Sequence, residues 1–248
     1  MNDRTKLVAG NWKMNGLRAD GVALAGELAE RARVAKGAQA LHCELLICPP
    51  ATLLSPVHET IAGSGIALGG QDCHAAPKGA FTGDLSAEML ADSGCTYVIL
   101  GHSERRHGHG ETDAEIRAKL AGAVRAGLKP ILCVGETHQQ HQAGRAIAVV
   151  SAQLTGSIPD GVARDGLIVA YEPVWAIGSG LSCKPENIAQ MHAAIRVDMA
   201  PATRILYGGS VNPTNAAGIL ALTDVDGALV GGASLDADSF WAIARCCE

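Results

Sequence analysis

TYVILGH (96–102), TDAEIRAKLAGAVRA (112–126) and KPILCVGE (129–136) decide the fold of this chain. The first and third are short, nearly continuous apolar runs, as expected for parallel strands covered on both faces. The segment between them has helical spacing. Ile116, Leu120, Ala123 and Val124 fall on one stripe, and Asp113 places a favourable negative charge in the first turn. Strand, helix, strand in that order implies a parallel pair joined by a right-handed crossover.

Working outward, the same unit recurs at roughly 30-residue spacing. KLVAGNW (6–12), CELLICP (43–49) and IALGGQ (66–71) precede it; GLIVAYE (166–172), RILYGGS (204–210) and DGALVGG (226–232) follow. Leu17–Val34 carries a stripe of Val22, Ala25, Leu28, Ala29 and Ala32, and Asn187–Met199 one of Ile188, Met191, Ile195 and Met199. Eight such units in 248 residues leave no material for a second domain, and no linker or low-complexity stretch interrupts them. Residues 1–248 therefore read as a single α/β domain, a closed (β/α)8 barrel. An open doubly wound sheet is the alternative, but the first strand ends in GNWKMNG rather than the Gly-x-Gly-x-x-Gly of dinucleotide-binding folds.

Composition narrows the class. Apolar residues make up 48% and charged residues 18%, the balance of a globular enzyme; aromatics are only 3%, so the core is built from Ala, Val, Leu and Ile. A net charge of −5 gives no reason to expect nucleic-acid binding, and a bound anion would need a local positive site. The eight cysteines form no Cys-x-x-Cys pair and several lie in apolar runs, so they read as reduced thiols of a cytoplasmic protein. The N-terminus shows no apolar leader region, and no apolar run is long enough to span a membrane.

In such barrels the chemistry sits at the C-terminal ends of the strands. The first strand delivers Asn11 and Lys13 there, the fourth His102 and Glu104, the sixth Glu172, the seventh Gly208, Gly209 and Ser210, and the eighth Gly231 and Gly232. Glycine turns after strands seven and eight let backbone N–H groups approach a phosphate. Each of these residues is ordinary alone; their convergence on one end of the barrel is not. His107 and His109 form a His-x-His pair beyond the fourth strand, but no acidic set at another strand end completes a metal site. His138 and His141 fall in a polar stretch expected to be exposed. Glu186 and Asn187, after Pro185, read as a plain helix start.

AGNWKMNG (9–16), GAFTGDLSAEML (79–90), GHSERR (101–106), YEPVWAIGSG (171–180), YGGSV (207–211) and LVGGASL (229–235) together resemble the triosephosphate isomerase family, in order and spacing, over essentially the whole chain. The resemblance implies a TIM barrel and the interconversion of dihydroxyacetone phosphate and D-glyceraldehyde 3-phosphate through an enediolate, a step of glycolysis and gluconeogenesis, with neither metal nor cofactor. It implies Glu172 as the base, His102 as a neutral imidazole working on the two oxygens, and Lys13 and Asn11 at the oxygen-binding site. Glu104 would pair with Lys13. The phosphate would lie against backbone N–H groups of Gly178, Ser210, Gly231 and Gly232. His102 opens a helical segment, whose positive end disfavours imidazolium.

Residues 173–183, PVWAIGSGLSC, read as a lid. Gly178 and Gly180 give backbone freedom, Val174, Trp175 and Ile177 exclude water, and Tyr207 and Ser210 would latch the closed form, as the resemblance implies. Segment 71–85 lacks any regular pattern. The resemblance implies that it crosses to a second subunit, with Thr82 approaching Asn11 and Glu104 of the partner subunit in a homodimer, and Phe81 argues for burial there. The chain departs from the family pattern at Leu181-Ser182-Cys183, where many members carry Lys-Thr-Ala, and at Asp72, where Asn is common. The competing readings are a metal-dependent barrel epimerase or hydrolase with a phosphate site, and a non-catalytic barrel; Lys13, His102 and Glu172 together speak against the latter.

Overall fold

The computed structural model describes residues 4–38, 40–176 and 183–247. Eight parallel strands close into a barrel in sequence order: β1 (Lys6–Asn11), β2 (Cys43–Cys48), β3 (Ala67–Gly70), β4 (Tyr97–Leu100), β5 (Lys129–Val134), β6 (Ile168–Tyr171), β7 (Arg204–Tyr207) and β8 (Gly227–Val230). Ten α-helices among the described residues alternate with them: α1 (Arg18–Ala38), α2 (Leu54–Ile61), α3 (Ala87–Asp92), α4 (Ser103–Gly108), α5 (Asp113–Arg125), α6 (His138–Gln142), α7 (Ala146–Ser157), α8 (Pro185–Asp198), α9 (Ala216–Leu220) and α10 (Ala237–Ala244).

The apolar runs are nearly continuous because both faces of each strand are buried. Along β4, Tyr97 and Ile99 point into the barrel, whereas Val98 and Leu100 pack against the helices. Twelve side chains fill the interior, among them Leu7, Leu46, Ile131, Ile168, Leu206 and Leu229, which matches the three layers of four typical of such barrels. Closure rests on β1, which pairs β2 through Lys6↔Cys43 and β8 through Leu7↔Gly227. Gly227 stands at φ +141, and a Cβ there would lie 1.9 Å from the Leu7 carbonyl oxygen, so the seam accepts no side chain.

The helices follow their stripes. Ala25, Leu28, Ala29 and Ala32 of α1 are buried, as are Ile116, Leu120 and Ala123 of α5 and Ile188, Met191 and Ile195 of α8. Val22 is half-buried and Val124 is exposed. The fourth member of the α5 stripe is instead Gly122, which packs against the Ala75 carbonyl and leaves no room for a Cβ. Thr112 caps α5 with a reciprocal capping box to Glu115, and Pro185 starts α8 at its first turn.

The strands stop one to three residues before the apolar runs do. Asn11, His102 and Glu172 therefore follow or close their strands, where the backbone turns outward over the C-terminal rim.

Candidate active site

At that rim a cavity of about 350 Å³ is lined by Asn11, Lys13, His102, Glu172, Gly208, Gly209, Ser210, Gly231 and Gly232, with Val211, Asn212, Leu229 and Ala233 completing it. The residues that the sequence placed at five strand ends thus meet in one space. Glu104 borders it through its ion pair with Lys13. Thr82 and Tyr207 do not line it: Thr82 is exposed, and Tyr207 is buried beneath Gly209. Gly178 lies outside the described residues, as do Ile177, Gly180, Leu181 and Ser182 of the expected lid.

Glu172 is buried, and Gly135 makes room for it. A Cβ on Gly135 would sit 1.7 Å from the Glu172 carbonyl oxygen, so the residue that follows β5 can approach only as glycine. The Glu172 N–H donates to the Val134 carbonyl at 2.8 Å, extending the β5–β6 ladder by one residue before Pro173 ends it. Its carboxylate faces the cavity. Oε1 lies 2.9 Å from His102 Nε2, and Oε2 accepts from the Ser103 N–H at 2.9 Å.

His102 caps α4: its Nδ1 accepts from the Glu104 N–H at 3.2 Å. An accepting Nδ1 carries no proton, so the donor toward Glu172 is Nε2–H and the ring in this arrangement is neutral. Burial opposes charge on this imidazole, but the Glu172 carboxylate outweighs it, and the affinity of His102 for a proton is raised above the ordinary histidine value. The neutral ring of this arrangement agrees in form with the imidazole expected from sequence, with the Glu172 carboxylate working against the helix start. The carboxylate answers in kind. Burial alone would raise it, yet the imidazole, the Ser103 N–H and Lys13 hold it below the usual glutamate range.

Lys13 has φ 53°, the left-handed region, alone among the described non-glycine residues. Such a backbone persists only where its surroundings hold it. Here the Lys13 N–H donates to Asn11 Oδ1 at 3.0 Å, and Gln71 Nε2 donates to the Lys13 carbonyl at 2.8 Å and to the Cys48 carbonyl at 2.9 Å. The side chain reaches Glu104 Oε1 at 2.6 Å, the expected pair. Glu104 is half-exposed, so this pair orients the ammonium more than it stabilises the fold.

Residues 6–247 match the sequence profile described as triosephosphate isomerase. The chain belongs to the triosephosphate isomerase family. It is 56% identical over 250 residues to triosephosphate isomerase of Afipia carboxidovorans, covering 97% of each chain, and 52% identical to that of Xanthobacter flavus, covering 98% of each. The crystal structure of triosephosphate isomerase from Bartonella henselae superposes with a TM-score of 0.88 at 42% identity, over 98% of both chains.

Gln71 and Glu136 of this family member were missed from sequence, although both close a strand run (IALGGQ and KPILCVGE), the criterion that found the others. Glu136 is fully buried; its Oε1 accepts from Trp175 Nε1 at 2.8 Å and from the Tyr171 hydroxyl at 3.2 Å. The Glu136 carbonyl also accepts from the Val174 N–H at 3.1 Å. His141, expected to be exposed, is half-buried and stacks on Trp175 with ring centroids 4.6 Å apart. On the other side the Ser210 hydroxyl donates to the Ala176 carbonyl at 2.7 Å. The foot of the expected lid is therefore tied from two sides. Cys183 at its far end is buried, which pushes its thiol up to about 12.

Asp72 adds no unbalanced charge. Lys119 Nζ lies 2.8 Å from it and Arg105 Nη2 2.9 Å, and both cations also hold Glu111. Phe81, expected to be buried, is 45% exposed in the single chain and rests on the His74 ring.

Proposed function

We propose that Glu172, His102, Lys13 and Asn11 carry the reaction of this aldose–ketose isomerase, the interconversion of dihydroxyacetone phosphate and D-glyceraldehyde 3-phosphate in glycolysis and gluconeogenesis. The observation behind the assignment is a buried carboxylate 2.9 Å from an imidazole nitrogen, at the wall of a cavity that also holds Lys13 and the glycine turns after β7 and β8. Glu172 takes the proton from the hydroxymethyl carbon of dihydroxyacetone phosphate as the electron pair moves onto the carbonyl oxygen. His102 Nε2–H donates to that oxygen and recovers a proton from the neighbouring hydroxyl. Glu172 then returns its proton to the former carbonyl carbon, and the aldehyde results.

Electrostatics decides whether this runs, because a proton beside a carbonyl is too weakly acidic for a free carboxylate. The Lys13 ammonium and the Asn11 amide supply the opposing charge and dipole. Taking the substrate's proton also discharges Glu172. That removes the Glu172 charge that raised the proton affinity of His102 and leaves burial and Lys13, which lower it, against the more exposed Glu104 carboxylate, which raises it. The imidazole thus stays neutral at the stage where it must shuttle a proton. The phosphate rests on the backbone N–H groups of Ser210, Gly231 and Gly232, with Gly178 joining from the lid.

A coupled assay with dihydroxyacetone phosphate tests the reading. Turnover should persist after exhaustive chelation; its loss would favour the metal-dependent epimerase or hydrolase.

A cytoplasmic homodimer completes the proposal. Phe81, Leu85 and Met89 are exposed, as are Met14 and Leu17 after β1, which Gln71 ties to the start of the 71–85 segment. Apolar side chains grouped in this way mark a contact surface. Deleting 76–82 should give monomers of weak activity by sedimentation; a fully active wild-type monomer at micromolar concentration would refute the link.

A further inference from the structure

Glu136 is fully buried, yet its two oxygens are served unequally. Oε1 takes both hydrogen bonds, from Trp175 Nε1 at 2.8 Å and from the Tyr171 hydroxyl at 3.2 Å, and Oε2 has no partner among the described residues. A buried carboxylate so placed calls for a counter-charge. Among the described residues the side chain that can supply it is His141, whose Nδ1 lies 3.4 Å from Oε1. The same ring stacks on Trp175, with centroids 4.6 Å apart and planes tilted by 32°. His141 reaches this place from α6, which Thr137 starts with a reciprocal capping box to Gln140.

We propose that His141 is a positioning residue for the foot of the lid, and that a proton on its ring tightens the hold on Trp175. The inference rests on the lid reading of residues 173–183. Trp175 stands three residues after Glu172, so what holds the indole also bears on the backbone that carries the base. The protonated ring acts twice. Its charge faces the carboxylate that accepts from the indole, and it presents a cation to the indole face. The neutral ring keeps only the stacking. Histidine changes charge between pH 5 and 8, and the His141 side chain is exposed enough to exchange protons with solvent.

The other groups around the ring do not take this role. A cavity of about 240 Å³ lies beside it; α7 contributes Ala146 and Ile147 to the wall and α8 Asn187, Gln190 and Met191, none of them titratable. Tyr171 is pushed far above the ordinary phenol by burial and by Glu136, and stays protonated. Cys183, which also senses Glu136, is held protonated by burial. Arg145, between α6 and α7, is exposed and outside the cavity wall. His138, on α6 as well, stands edge-on to Trp175 at 6.5 Å, with no carboxylate partner among the described residues.

The full-length protein labelled with fluorotryptophan reports on Trp12, Trp175 and Trp241 by fluorine NMR, with Trp175→Phe assigning the resonance. Glycerol 3-phosphate, which is dihydroxyacetone phosphate with its carbonyl reduced, is added to half saturation at each pH, and the exchange rate of the Trp175 signal is read from its line shape. In wild type that rate should be about two- to fivefold slower at pH 5.5 than at pH 8.5. His141→Gln should show the faster rate at both pH values and His141→Arg the slower one, whereas His138→Gln should follow wild type. A merely structural role would shift the rate in His141→Gln equally at both pH values and leave its pH dependence in place. That result, or a wild-type rate independent of pH, would overturn the inference. A Trp175 signal that ignores glycerol 3-phosphate while the same compound inhibits turnover would overturn the lid reading, and the inference with it. Should His141→Arg fail to fold, wild type and His141→Gln decide.

Discussion

Glu172 and Asp226 are both buried carboxylates, at opposite ends of the same barrel, and they are held in opposite ways. Asp226, just before β8, is gripped by Arg4 Nε at 2.8 Å, by the Arg196 guanidinium and by the Ile205 N–H at 2.9 Å. Glu172, just after β6, has an imidazole, one backbone N–H and the Cys133 thiol for company, and the imidazole is its only ion-pair partner among the described residues. Guanidinium groups that saturate a buried carboxylate fix it in place. A neutral imidazole and a single amide hold it loosely enough to turn toward a substrate carbon. One end of the barrel spends its charge on structure, and the other keeps it available for chemistry.

Predictions follow from that contrast, the largest first. Glu172→Asp withdraws the carboxylate by one methylene and should lower kcat by about 10²–10⁴-fold with little change in KM. Steady-state kinetics with both substrates measures this; wild-type turnover would mean that another group takes the proton. Asp226→Ala should do the reverse. It leaves Arg4 and Arg196 facing a hole, with an expected loss of about 3–5 kcal/mol in denaturant unfolding and kcat within about twofold of wild type for the folded fraction. A matching loss of kcat would erase the distinction between the two ends.

Lys13→Ala should weaken a phosphate-bearing inhibitor by about 1.5–3 kcal/mol, the worth of a hydrogen bond to a charged group, and lower turnover as well. Unchanged inhibitor affinity in a titration would place the phosphate elsewhere.

These contrasts separate what was legible in the sequence from what was not. All eight strands could be read because burial on both faces leaves an uninterrupted apolar run, and the chemistry-bearing residues stood where those runs end. Val124 misled because helical spacing marks a stripe but not its edges. The guanidinium cage of Asp226, the Gln71 clamp on Lys13 and the neutralisation of Asp72 are contacts across 30 residues or more, and no local pattern encodes them. The proton balance of His102 was legible only in part for a related reason: the helix start is adjacent in sequence, whereas the carboxylate that raises its proton affinity arrives from β6.

The smallest effect is in pH dependence. Glu172 binds its proton more weakly in the folded chain, so its contribution to stability is present above about 4.5, the unfolded value, and fades as pH falls through the lower folded one. His102 binds its proton more tightly. Its contribution is complete below about 6.5 and fades as pH rises through the higher folded value. The two overlap between these limits. The melting-temperature gap between wild type and His102→Asn should therefore be wider at pH 5.5 than at pH 9; a gap that widened toward pH 9 would show that Glu172 does not raise the proton affinity of the ring.

The most direct test of the loosely held base follows the proton itself. Dihydroxyacetone phosphate incubated with enzyme in D2O should gain deuterium at the hydroxymethyl carbon and in the aldehyde product by NMR, and Glu172→Gln should reduce that gain to the enzyme-free rate while still binding a phosphate-bearing inhibitor. Exchange persisting in Glu172→Gln at the wild-type rate would contradict the account, since the carbon proton would then be moving without the carboxylate.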